Sequence, residues 1–146
     1  MSRSSVDPGT THRFRLVIDG VSVGEFTGCT GLACTVEVEE YPEGGRNDSM
    51  LYLPKRVKFP PLVLTRPLTQ EAEKLSQWVM DSVSEARQQT GQVAALAPDG
   101  KVLAKWDLQS VMPVAWHGPR FDASGLGAAI EVLEIVHHGL FKAGTT

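Results

Sequence analysis

The chain is short of nearly every feature that announces a particular chemistry. Two cysteines among 146 residues cannot build the disulfide framework of a small secreted module. There is no basic excess: 14 Lys and Arg stand against 17 Asp and Glu, a formal net charge of −3. That argues against a protein whose task is neutralising phosphates, and against sequence-specific nucleic acid as a partner. No apolar run approaches the roughly 18 residues of a membrane span. The longest, Val111 to Trp116, is interrupted by Pro113. The opening MSRSSVDPGTTH lacks the apolar stretch of a signal peptide, so none is expected.

What is present is ordinary globular usage, 42% hydrophobic and 21% charged, in a length that suits one domain. Residues 1–12 read as a flexible arm, residues 13–141 as the domain and 142–146 as a tail. Phe14, Leu16 and Ile18 alternate with Arg13, Arg15 and Val17, the period of a half-buried strand. Asp19-Gly20 supplies a hairpin turn before Val21 to Phe26. Gly28 and Gly31 mark a turn, after which Cys34, Val36 and Val38 alternate with Thr35, Glu37 and Glu39. Residues 41–61 hold Pro42, Gly44, Gly45, Pro54, Pro60 and Pro61, which predicts an extended irregular loop.

One helix is predicted over about 69–89. Thr69 is placed to cap it, Glu71 and Glu73 put negative charge in its first turn, and Gly91 is placed to stop it. Leu75, Trp78, Val79 and Val83 form the face expected to pack on the sheet. Pro98-Asp99-Gly100 predicts a second hairpin, with Val102, Ala104, Trp106 and Leu108 on one face. Residues 109–117 and 129–137 are further strand candidates, separated by a Gly/Pro/Ser-rich connection. AAIEVLEIV suits helix or strand, and its β-branched residues favour strand. The expected class is therefore α+β, mainly β: a barrel or sandwich of two packed sheets with one flanking helix.

No catalytic, cofactor or metal site is expected. Cys29 and Cys34 with His12, His117, His137 and His138 lack the spacing of zinc knuckles, and adjacent His137 and His138 point to opposite faces of a strand. Cys34 reads as a core thiol and one histidine of the pair as buried and hydrogen-bonded. Asp122-Ala-Ser124-Gly125 lacks the first glycine of a nucleophile elbow. Gly125-Leu-Gly127 lacks the third glycine of a dinucleotide loop. Glu37 and Glu39 share a strand face but are followed by no calcium loop.

The acids Glu37, Glu39, Glu40 and Glu43 are followed by Arg46, Lys55, Arg56, Lys58 and Arg66. Two readings stay open: a pairing of the two patches within one chain, or a pairing between copies that fixes their register.

Taken in order, these segments resemble the phage tail tube proteins. FRLVIDGVSVGEFTGCTGL is similar to the family's opening strand–turn–strand, VEVEEYPEGGRND to its acidic strand and glycine pair, and LPKRVKFPPLVLTRPLT to the stretch that leads into its helix. Trp78 sits where that helix carries a tryptophan, and AIEVLEIVHHGL is similar to the closing strand. Pro67 and Phe59-Pro60-Pro61 depart from the pattern.

The resemblance implies an inner-tube subunit of a contractile injection system, either main tube or a tube-initiator/baseplate hub-adaptor paralogue, and not an enzyme; the other readings are a monomeric small-ligand-binding barrel and a small hydrolase using Ser124 or His137, for which the chain offers no third triad member. It implies hexameric rings stacked around a lumen that passes cargo, a contractile sheath outside, and a hub and a terminal cap at the ends. Assembly in the cytoplasm into a phage-tail-like particle follows from it. Glu37, Glu39, Glu40, Glu43, Gly44, Gly45, Arg46, Lys55, Arg56 and Lys58 are then the candidates for ring stacking.

Overall fold

A computed structural model describes residues 12–42, 50–85, 88–119 and 129–142. β1 (Arg13–Ile18) and β2 (Val21–Phe26) form the expected hairpin. Asp19 and Gly20 both take positive φ, 49° and 82°, the conformation that lets a two-residue turn follow the twist of its strands. Then come β3 (Gly28–Thr30), β4 (Thr35–Pro42), β5 (Met50–Lys58), β6 (Leu62–Pro67), α1 (Ala72–Glu85), β7 (Gln89–Leu96), β8 (Val102–His117), β9 (Ile130–Val136) and β10 (Gly139–Lys142).

Eight strands make one antiparallel sheet in the order β2-β1-β7-β8-β9-β6-β3, with β10 also on β8. β8 organises it. Its first half pairs with β7 and its second with β9, and Ser110 between them has φ 52°. A single core draws Leu16, Ile18, Phe26 and Val93 from one half and Leu62, Leu64, Leu133 and Ile135 from the other. The sheet therefore folds about β8 into two packed layers. Between β2 and β3 the Thr27 amide donates to the Thr65 carbonyl at 2.9 Å, where the chain steps across. The sandwich of two layers with one helix matches expectation, and among the described residues the strand path stays open.

The helix is shorter than predicted, because Gln89 and Gly91 belong to β7. Gly91 is not a helix stop: a Cβ there would come within 2.9 Å of Val111 Cγ2 and 3.2 Å of Ile18 Cδ1, so the position serves close packing of the core. Thr69 does act at the start of the helix, its hydroxyl accepting from the Glu71 amide at 3.3 Å. Leu75 is fully buried, and Trp78 and Val79 pack on the core. Val83 does not, being 66% exposed. The turn of the helix presents Ser82 inward instead, at i+7 from Leu75, and the Ser82 hydroxyl and the Trp78 indole N–H both donate to Gln89 Oε1.

Two further expectations fail, the first because alternation does not say whether a face is covered, the second because proline is tolerated in an edge strand. Cys34 is exposed rather than a core thiol, while Cys29 is partly buried against the core. Most of the predicted 41–61 loop that is described here is strand β5. The Gly/Pro/Ser-rich 120–128 stretch, with Asp122, Ser124, Gly125 and Gly127, lies outside the described residues, as do Glu43, Gly44, Gly45 and Arg46.

Arg66, counted with the basic surface stretch above, is instead 3% exposed and faces Glu131 (0%) across the β6–β9 ladder. Its Nε donates to Glu131 Oε2 at 2.8 Å, and Trp116 Nε1 donates to Oε1 at 2.6 Å. The guanidinium lies 4.9 Å from the centre of the Phe26 ring and its Nη2 donates to the Glu71 carbonyl at 3.4 Å.

Two stability measurements follow. Leu75→Ala is expected to cost about 2–5 kcal/mol by urea denaturation, whereas Val83→Ala stays within about 0.5 kcal/mol of wild type. Glu131→Leu alone, leaving a buried unpaired guanidinium, is expected to cost about 3–5 kcal/mol, and adding Arg66→Met is expected to recover most of that loss.

Candidate functional site

The feature that the core does not explain is the two-stranded ribbon of β4 and β5. Among the described residues it pairs with no other strand, and its side chains are exposed or half-exposed on both faces. Val36, Val38, Tyr41, Met50, Leu51, Tyr52, Leu53 and Val57 are 43–58% exposed.

The register sorts these residues. Directly opposed residues share a face. One face carries Val36 with Val57, Val38 with Pro54, Glu40 with Tyr52, and Pro42 with Met50. The other carries Thr35 with Lys58, Glu37 with Arg56, Glu39 with Leu53, and Tyr41 with Leu51. A bulge at Lys55, between the Glu37–Arg56 and Val38–Pro54 pairs, shifts the alternation of β5. Without it Pro54, Tyr52 and Met50 would share the face of Arg56. The bulge thus makes one face nearly continuous in apolar side chains. Pro54 is tolerated because a two-stranded ribbon consists only of edge strands.

Glu40 is the one charge on the first face; on and beside the second face the charges are partnered across the ribbon. Glu37 bridges Lys58 and, at 3.5 Å, Arg56 Nε. Lys55 Nζ lies 3.8 Å from Glu39 Oε2. The pairing within one chain, one of the two readings of the charge pattern, is therefore what the described residues display. Such exposed pairs contribute at most about 1 kcal/mol each. Of the ring-stacking candidates, Glu37, Glu39, Glu40, Lys55, Arg56 and Lys58 all lie on this ribbon. The apolar residues beside them were passed over in the sequence, although Met50-Leu-Tyr-Leu53 next to the Val36 and Val38 alternation carried the signal.

Elsewhere the reactive groups are dispersed. Among the described residues no three His, Cys, Asp or Glu side chains are grouped to hold a metal ion. Burial pushes the Cys29 thiol up to about 11, which keeps it protonated. His117 is exposed near the end of β8. His137 is buried and His138 exposed, as expected of one buried partner in the pair. His137 Nδ1 donates to the Gly139 carbonyl at 3.1 Å, its ring packs 5.3 Å from that of Phe59, and its Nε2 is buried without a hydrogen-bond partner. Burial lowers its pKa, outweighing the carbonyl hydrogen bond that raises it.

This last arrangement sets a pH dependence. An unfolded chain takes up a proton at His137 as pH falls below about 6.5, while the folded chain resists until its lower value is reached. Stability from this group is thus complete above that pH and is lost between it and the folded value. Replacing His137 with Phe is expected to flatten the fall in melting temperature below pH 6.5, with thermal scans across pH 5–8 as the measurement.

Residues 10–141 match the model of the family described as T4-like virus tail tube protein gp19. No curated protein matches the chain. Several solved structures share its fold. A chain of the anti-feeding prophage baseplate, sixfold symmetrised, is 23% identical with a TM-score of 0.73, covering 99% of this chain and 98% of that one. A chain of the PVC sheath–tube complex, an extracellular contractile injection system in its extended state, is 16% identical with a TM-score of 0.78, covering 99% and 100%. Hcp1 from Salmonella typhimurium is 11% identical with a TM-score of 0.56, covering 90% and 92%.

Proposed function

The chain belongs to the T4-like virus tail tube protein family, and we propose that it is the inner-tube subunit of a contractile, phage-tail-like injection system. Six copies form a ring, rings stack around a lumen, and cargo passes through it. The observation that carries this reading is the β4–β5 ribbon: a two-stranded element with eight large apolar side chains about half exposed and, among the described residues, no other strand beside it. An isolated two-stranded hairpin is at best marginally stable in water. Exposed apolar area on this scale marks a surface that another molecule covers. Copies of the same chain supply that cover in a tube.

A subunit that contacts its own kind through different surfaces on its two sides builds an open filament. A contractile sheath outside the tube, with a baseplate hub and a terminal cap at its ends, completes the set of partners. The chain assembles in the cytoplasm into a particle that acts outside the cell, and its part is structural. The ribbon residues Glu37, Glu39, Glu40, Lys55, Arg56 and Lys58, with Glu43, Gly44, Gly45 and Arg46 beyond them, lie at the stacking contact. The charges of Glu37, Glu39, Lys55, Arg56 and Lys58 are already partnered along the ribbon, so the apolar face supplies the cohesion and the charges its orientation.

Negative-stain microscopy of the concentrated protein tests this. Sixfold rings and stacked tubes are the expected result, and raising salt to 1 M leaves the tubes intact because apolar burial is not screened. Rings that never stack would indicate the tube-initiator paralogue, and monomers at high micromolar concentration would overturn the reading.

A further inference from the structure

The β4–β5 ribbon is rooted in the body where the chain enters and leaves it. The chain enters through Gly31 to Cys34, where Leu32 packs on the core and the Ala33 amide donates to the Gly31 carbonyl at 2.8 Å. It leaves through Phe59-Pro60-Pro61. A Cβ on Gly31 would collide with the Pro61 carbonyl oxygen, so the two crossings lie against each other. Phe59 ties this root to the far end of β9, its ring 5.3 Å from that of His137 and tilted by 46°.

His137 is 6% exposed. A carbonyl can only accept, so the contact with Gly139 places the ring proton on Nδ1 and leaves Nε2 as a bare acceptor. Nε2 is buried and meets no partner. The ring is therefore built into the root as a neutral group. A second proton would make Nε2 a buried donor with nothing to receive it, beside the ring of Phe59, and the lost hydration adds to the cost.

Among the described residues no neighbouring element relieves that charge. His138 is the one ionisable group acting on the ring, and it opposes protonation. The adjoining run of β8, Gln109 to Met112, is uncharged, as is Phe59-Pro60-Pro61. Lys58 is engaged by Glu37 and Glu131 by Arg66, while Glu134 stands opposite Val63 on β6.

We propose that His137 is a proton-operated latch on the root of the β4–β5 ribbon: the neutral ring seats Phe59 and fixes the direction of the ribbon, and the protonated ring leaves its buried site and frees it. The effect on assembly rests on the tube-subunit reading. Subunits present a fixed ribbon near neutral pH, and acid is a signal to come apart.

Linkage sets the sign and the steepness. The released ring titrates near the ordinary 6.5 and the seated ring lower. Acid therefore favours release, by up to about tenfold for each pH unit between the two values, and the seat is favoured above them.

Spin labels read the direction of the ribbon. In a Cys29→Ala/Cys34→Ser background, Tyr52→Cys on the ribbon is paired with Lys101→Cys on the exposed β7–β8 turn, and Met80→Cys with Lys101→Cys is the control within the body. On the dilute, unassembled chain the Tyr52–Lys101 distance distribution is expected to be narrow at about pH 7.5 and reversibly broad at about pH 5, while the Met80–Lys101 distribution stays narrow. His137→Phe is expected to stay narrow at both, and Phe59→Ala to be broad at both. Should His137→Phe not fold, His137→Gln, which keeps a donor for the Gly139 carbonyl and takes up no charge, is read in the same way.

A wild-type ribbon that stays narrow at about pH 5 overturns the latch. So does equal broadening in His137→Phe, a narrow Phe59→Ala, or a body pair that broadens in step with the ribbon. Wild-type tubes are expected to come apart at about pH 5 and His137→Phe tubes to persist, and wild-type tubes that survive overturn the regulation. Protein that forms no tubes near neutral pH counts against the tube-subunit reading alone, because the labels read the latch on the free chain.

Discussion

A guanidinium and a carboxylate held away from water lose hydration that their mutual attraction restores only when every remaining donor and acceptor is met. Around the Arg66–Glu131 pair, groups from four strands and from the residue before α1 supply such partners. β6 and β9 supply the ions in direct register, β8 supplies the Trp116 N–H to the second carboxylate oxygen, β2 supplies the face of Phe26, and the residue before α1 supplies the Glu71 carbonyl. Gly24 belongs to the same arrangement, since a Cβ on it would collide with Arg66 Nη1. Both layers and the start of the helix are thereby placed relative to one another.

That rigidity contrasts with the ribbon. The body encloses a core of its own, with Leu16, Phe26, Leu62, Leu64, Leu75, Leu133 and Ile135 fully buried. The ribbon has no third layer to enclose anything. Cross-strand ion pairs and backbone ladders hold it, and neither compensates for the apolar area left in water. The chain thus separates two tasks along its length. One part encloses a core of its own, and the other leaves its apolar side chains exposed.

The junction between them is a short stretch, Phe59-Pro60-Pro61. Two consecutive prolines restrict the backbone there, and Phe59 packs on the buried ring of His137. The ribbon therefore leaves the body in a defined direction.

The elements with regular alternation and explicit turn residues were legible in the chain itself. Asp19-Gly20 between two alternating segments, Pro98-Asp99-Gly100 before β8, and the β-branched run of β9 all carry local signals, because turn chemistry and side-chain period act within a few residues. The helix was legible for the same reason, as was the buried member of the His137–His138 pair. The ordered series of motifs also pointed to the family.

What the tertiary structure decided is whatever depends on the other side of a contact. The exposure of Cys34 and Val83, the strand in place of a loop at β5, and the burial of Arg66 opposite Glu131 cannot be read from alternation. A period of two says that a strand has two faces and not which of them is covered. Pro54 read as a breaker because nothing local reveals that its strand is an edge, and the bulge at Lys55 turned the faces of β5 over midway. The candidate site was half visible for this reason. Its charges stood out in the chain, while the apolar face beside them emerged only once register had brought Val36, Val38, Tyr52 and Met50 to one side.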